Sequence, residues 1–168
     1  ASLSYGAYLG AFENTIDDNG DEGICVSKLT NGSDCIVTDN TMDGNGYGIY
    51  IGEASDGCLL DIEDNTVTGS LSGVGVYCGR QFLESELKVL GNTISDNTGI
   101  GLQVCEWTGD WEHSIADSRA TVRCNTISGN SSWGISTFIY RSLVDVSGNY
   151  VTGNGSGENE GGIYVSGG

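Results

Sequence analysis

One triplet, Asn-Thr-apolar, returns along the chain at Asn14-Thr15-Ile16, Asn40-Thr41-Met42, Asn65-Thr66-Val67, Asn92-Thr93-Ile94 and Asn125-Thr126-Ile127, and Asn149-Tyr150-Val151 is an altered sixth copy. The asparagines lie 26, 25, 27, 33 and 24 residues apart. A unit of this length cannot bury an apolar side alone and has to stack on copies of itself, so the period implies a solenoid before any local structure is assigned. Other columns keep the same phase. Three residues before the asparagine stand Ala11, Val37, Ile62, Val89, Val122 and Val146, and five before it stand Leu9, Cys35, Leu60, Leu87, Ala120 and Val144. Two after it come Ile16, Met42, Val67, Ile94, Ile127 and Val151, and five after it Asn19, Asn45, Ser70, Asn97, Asn130 and Asn154. Each copy closes on glycine and a β-branched residue: Gly23-Ile24, Gly48-Ile49, Gly73-Val74, Gly99-Ile100, Gly134-Ile135 and Gly162-Ile163.

Within each copy the apolar positions alternate with polar ones in three short stretches, and a period of two means strands. No segment offers apolar residues three and four apart over the ten or more positions a helix needs, so essentially no α-helix is expected. Three strands per coil, each stacked on its equivalents above and below, give an all-β fold of about six coils with three parallel sheets around one apolar interior. The column Asn14, Asn40, Asn65, Asn92, Asn125 and Asn149 becomes an amide ladder, because amides about 4.8 Å apart can donate to and accept from one another. Glycine supplies 28 of 168 residues while proline is absent, which fits a repeated backbone demand for glycine rather than general turn content.

Coils of the form Asn-x-Ile-x-x-Asn-x-x-x-Gly-Ile, as in Asn125 to Ile135, resemble the right-handed parallel β-helix family related to pectin and pectate lyases. The resemblance spans residues from about 9 to 166, and the right-handed crossover rule for parallel strands agrees with it. It implies a single domain over 1–168, with a long loop insertion at 105–119. It says little about activity, since that scaffold carries lyases, hydrolases, epimerases, tailspikes, adhesins and purely structural repeats.

The balance of charges is 23 acidic to 6 basic residues, a formal net charge of -17. It argues against nucleic acid and anionic membrane surfaces as partners. No stretch is long and apolar enough to insert in a membrane as a helix. Six cysteines, Cys25, Cys35, Cys58, Cys78, Cys105 and Cys124, sit near the connection after the Gly-Ile strand with no Cys-x-x-Cys pair. This pattern points to disulfide-stapled loops in an extracellular or cell-surface setting. Cys25–Cys35 is the favoured bridge. For the rest, Cys78–Cys105 competes with Cys58–Cys78 plus Cys105–Cys124.

Lyase chemistry on this scaffold calls for an Arg or Lys beside a calcium-bound carboxylate, and hydrolase chemistry for clustered aspartates with a Gly-His-Gly. Neither constellation is visible. The single histidine is His113, and Asp17-Asp18 reads as a solvated turn. Catalysis is therefore not the expected role. Tyr50, Tyr77, Phe138 and Tyr164 at outward positions of the Gly-Ile strand, with Trp107 and Trp111 on the long insertion, form a candidate glycan-binding surface. The carboxylates of Asp39, Asp43 and Asp64, stacked on neighbouring coils with Glu13 and Asp17, are candidate Ca2+ ligands. Asn31-Gly32-Ser33 is a candidate glycosylation site, while Asn130 and Asn154 match the sequon but belong to the second asparagine column. No capping helix is visible, so end-to-end self-association, or continuation within a longer solenoid, is expected. The leading reading is a secreted or cell-surface structural module; a glycan-binding or adhesive module, and a polysaccharide lyase or hydrolase, are the alternatives.

Overall fold

The computed structural model describes residues 1–81, 83–104, 118–139, 142–155, 157 and 160–167. Every coil contributes to three parallel sheets, and the whole forms a right-handed solenoid of about six coils with no helix among the described residues. Sheet A holds β1 (Ser2–Leu3), β4 (Glu22–Val26), β5 (Lys28–Leu29), β8 (Tyr47–Ala54), β11 (Val76–Gln81), β14 (Leu102–Val104), β17 (Ile135–Ile139) and β20 (Ile163–Gly167). Sheet B stacks β2 (Tyr8–Phe12), β6 (Asp34–Thr38), β9 (Leu59–Glu63), β12 (Glu86–Leu90), β15 (Arg119–Arg123) and β18 (Leu143–Ser147). Sheet C stacks β3 (Thr15–Asp17), β7 (Thr41–Asp43), β10 (Thr66–Thr68), β13 (Thr93–Ser95), β16 (Thr126–Ser128) and β19 (Tyr150–Thr152).

The apolar columns of the sequence are the core. Leu9, Cys35, Leu60, Leu87, Ala120 and Val144 stand in one register column of sheet B, and Ala11 to Val146 in the next inward one. On sheet C the single inward position runs from Ile16 through Met42, Val67, Ile94 and Ile127 to Val151. In the middle coils these side chains are fully buried, while in the first and last coils they are only partly covered. One column was phased differently in the sequence. Strand register sets Ile24, Ile49, Val76, Leu102, Ile135 and Ile163 side by side. The working pairs in coils three and four are thus Gly75-Val76 and Gly101-Leu102, not Gly73-Val74 and Gly99-Ile100. The structural reason for these glycines lies in the second asparagine column. A Cβ at Gly75, Gly101 or Gly134 would stand 2.7–2.8 Å from the amide nitrogen of Asn97, Asn130 or Asn154.

The first asparagine column is a continuous ladder. Each Nδ2 donates to the Oδ1 of the next coil, at 2.8 Å (Asn14 to Asn40), 2.9 Å (Asn40 to Asn65), 3.0 Å (Asn65 to Asn92), 3.0 Å (Asn92 to Asn125) and 2.8 Å (Asn125 to Asn149). The same Oδ1 accepts the backbone N–H of the preceding asparagine. From Asn40 to Asn149 the second hydrogen of the amide ties back to main-chain carbonyls, as Asn92 does to Ile62 and Leu90. The amide is thus satisfied at every valence in a buried bend, where an unpaired polar group would cost about 1–3 kcal/mol. The residue before it turns in the left-handed region, with φ of 55° at Glu13, 57° at Asp39 and 52° at Asp64. Aspartate tolerates that region better than most residues, and Gly91 and Gly148 occupy it elsewhere. The second column, Asn19 to Asn154, makes the same bonds except at Ser70, whose hydroxyl is buried without a partner. Ser70 is one amide too short.

Cysteine usage departs from the expected stapling. Cys25 lies between the buried Ile24 and Val26 of β4 and faces outward opposite Tyr50, whereas Cys35 faces the core between Leu9 and Leu60. Strand alternation thus points the two thiols to opposite sides of the wall, and the Cys25–Cys35 bridge is not made. Cys25, Cys35, Cys58 and Cys124 are free thiols, which also removes the Cys58–Cys78 and Cys105–Cys124 pairings. Cys105, needed for Cys78–Cys105, lies outside the described residues. Cys58 instead donates to the Ser55 carbonyl at 2.8 Å, closing a corner as Ser33 does onto Thr30 at 2.7 Å. Cys35 and Cys58 thus act as small apolar residues that fill the core and a corner.

Two measurements test this account. Asn92→Ala removes amide bonds to both neighbouring coils and is expected to lower stability in urea by about 3 kcal/mol, against about 1 kcal/mol for the half-exposed Asn149→Ala. Ser70→Asn, which completes the second ladder, should raise it by about 1 kcal/mol. Burial pushes the Cys35 thiol from 9.0 up to about 11. The folded state then holds this proton more tightly than the unfolded chain does, so the stability it contributes is intact below pH 9 and is lost as pH rises towards 11. Between pH 8 and 11 the wild type should lose about 2 kcal/mol more than Cys35→Val; parallel losses would contradict the assignment.

Candidate functional site

The three outer walls have different chemistry because each sheet exposes alternate residues of a different stretch of the repeat. On sheet A the outward row is Cys25, Tyr50, Tyr77, Gln103, Ser136 and Tyr164, in register coil by coil. Tyr50 and Tyr77 stack with centroids 4.9 Å apart at 12°, and Tyr47 meets both edge-on at 5.6 and 6.4 Å. The rings lean along their strands over glycine. A Cβ at Gly52 would lie 3.4 Å from Tyr50 Cε1, and one at Gly79 would lie 3.0 Å from Tyr77 Cε1. Beside this cluster Lys28 Nζ pairs with Glu53 Oε1 at 2.6 Å, and Arg80 stands in register with Glu53. At the far end Trp133 and the exposed Tyr164 form a second pair, 5.1 Å apart.

The structure therefore brings Tyr50 and Tyr77 together and sets Phe138 and Tyr164 apart from them. Phe138 does not belong to the tyrosine row: it registers with Ser166 and is only 8% exposed. Trp107 and Trp111 lie outside the described residues, as does His113; Arg119, placed within the long insertion by the sequence, already begins β15. Tyr47 and Trp133 had not been singled out. Both directly precede a column glycine, Gly48 or Gly134, and that adjacency is the signal that would have found them.

Sheet B is the charged wall. Asp145 is held below its usual range by its hydrogen bond to the Arg123 guanidinium. Glu63 is raised, first by desolvation and then by Asp61 and Asp64 nearby. Arg119 registers with Glu86 and Leu143, and these three with Glu84, Ser85 and Ser118 line a shallow depression of about 440 Å³. It abuts the A-to-B corner, where Leu83 and Glu84 adopt φ of 55° and 63°. The equivalent corners use Asn31-Gly32 and Asp56-Gly57.

Asp39 and Asp64 occupy left-handed corners, and Asp43 points outward from β7, where its Oδ1 accepts the Thr68 hydroxyl at 2.8 Å. Among the described residues no three His, Cys, Asp or Glu side chains gather as a metal site would require, and the backbone alone accounts for the aspartates of the corners. Asp17 accepts the Asp43 N–H at 3.2 Å, and Asp18 turns with φ of 57°, so this pair shapes a bend. Asn130 and Asn154 are buried with their amides committed to Ile94 and Ile127 carbonyls. Asn31 is exposed at its turn.

No curated protein and no solved structure matches the chain. The family model described as a right-handed β-helix region matches residues 2–84 and 29–168, which together take in nearly the whole sequence. With its parallel sheets, its inward columns and its asparagine ladder, the chain belongs to the right-handed β-helix family.

Proposed function

We propose that the chain is a structural solenoid module of the cell surface or extracellular space, continued at its ends by further coils, either of a second copy or of a longer chain. The observation that carries this reading is the repetition of one coil design, in which a single amide ladder runs unbroken from Asn14 to Asn149. A terminal strand also leaves its ladder of N–H and C=O groups unpaired, the ordinary template for another strand. Because every coil repeats one design, a coil of a second copy can continue the same ladders, a heterologous contact that propagates. The acidic charge suits a hydrated outer surface; the free thiols mean that the extracellular setting no longer draws on disulfides. At micromolar concentration, sedimentation and electron microscopy should find end-to-end rods. Ile163→Lys with Val165→Glu should leave single modules. A wild type that stays monomeric at high concentration would sink the reading of copies stacking on copies.

A second reading, glycan binding on sheet A, is favoured by the Tyr47, Tyr50 and Tyr77 cluster, whose apolar bodies and polar tips suit sugar rings. On a glycan array, Tyr50→Ala with Tyr77→Ala should cut retention by tenfold or more with the solenoid intact. Equal retention would leave these rings a purely structural role.

A further inference from the structure

Sheet C carries a surface that neither reading uses. In the three central coils its strands read Thr66-Val67-Thr68, Thr93-Ile94-Ser95 and Thr126-Ile127-Ser128, with the middle residue buried and the outer two turned outward. The register is unbroken: Thr66, Thr93 and Thr126 form one column, and Thr68, Ser95 and Ser128 the other. Hydroxyls therefore repeat in two directions, at about 4.8 Å from coil to coil and about 6.6 Å along each strand. Threonine is stiff at χ1, so its hydroxyl and methyl are held in place, and at the lower edge of the array the Thr68 hydroxyl already donates to Asp43 Oδ1 at 2.8 Å. Each of these strands is three residues long and is anchored from below by a fully buried Val67, Ile94 or Ile127. Gly69 and Gly129 follow β10 and β16 directly and add no side chain at that edge, while Asp96 follows β13 between them with φ of 57°. These three strands bear no charged residue.

A discrete ligand gives no reason for recognition elements to recur on three successive coils in two dimensions. A lattice does. Weak contacts add up only where the spacing allows them to engage at once, and they are lost where it does not. Hexagonal ice presents rows of oxygens on its prism faces at intervals close to both of these repeats, and it is uncharged. The geometry points to sheet C as an ice-binding face, with the threonine and serine hydroxyls taking lattice oxygen positions and the threonine methyls seated between them.

The test is partition of the labelled chain into a slowly grown ice hemisphere, with recrystallisation inhibition as a second readout. The wild type should be retained in the ice. Thr93→Tyr in the middle of the column should reduce retention at least tenfold, and this variant should fold, because Tyr150 already occupies the same column in the last coil. Thr121→Tyr, on the outward face of sheet B, should be retained like the wild type. Circular dichroism and urea unfolding establish that both variants are folded. Exclusion of the wild type from ice, or equal retention of Thr93→Tyr, would overturn the proposal. Sedimentation with crystalline chitin or cellulose in place of retention in ice would also overturn it and assign the face to a crystalline polymer. None of these outcomes depends on whether the ends of the solenoid stack.

Discussion

A primary amide that donates up the axis, accepts from below and ties its remaining hydrogen to the main chain is the interaction on which this fold depends. Asparagine fits because its amide carries two donors and an acceptor oxygen with two lone pairs, and at the bend between sheets B and C the ladder uses both. Once the amides are stacked, the coil pitch is set for all three sheets. The residue before the asparagine has to turn left-handed, the apolar residues on either side have to face in, and the second amide column has to approach the glycine of the coil before it. Such networks gain from being complete and lose sharply when one member is missing, which is why the single interruption at Ser70 leaves a buried hydroxyl without a partner.

That hierarchy explains what could be read from the sequence. Columns tied to the ladder by a fixed number of residues were legible without error: every inward position of sheets B and C falls where the spacing from the asparagine placed it. The connection from sheet C to sheet A varies in length, so the glycine pairs of coils three and four were assigned two residues early. Two similar Gly-x pairs compete there, and only strand register decides between Gly73 and Gly75. The thiols failed for a different reason. Proximity in sequence favoured Cys25 with Cys35, but a strand turns successive side chains to opposite sides, and nine intervening residues carry the chain from an outward position on one sheet to an inward one on the next.

The candidate surfaces were harder to read, since they depend on what the outward residues touch rather than on their spacing. Tyr50 and Tyr77 were visible as outward aromatics, yet their stacking, and the part played by Tyr47, follow from glycines that leave room for the rings to lie down. Phe138 sits two residues along its strand from the tyrosine row and is covered. The corner aspartates were read as candidate metal ligands; a φ near 57° at Asp39 gives the corner a backbone role that composition does not reveal. The result is a prism with one aromatic wall, one charged wall and one hydroxyl wall, each assigned by which residues of the repeat point outward.

The interval of 33 residues between Asn92 and Asn125 has a wider meaning. The amide bond between these two coils is 3.0 Å long, the same as between Asn65 and Asn92, which are 27 residues apart. The scaffold therefore measures its coils by stacked side chains and not by chain length, and the passage from sheet A to sheet B can absorb extra residues without cost to the register on either side. Such a solenoid is a mounting rail: new segments can be spliced in at that corner on any coil, by evolution or by a protein engineer, and presented side by side at a fixed pitch.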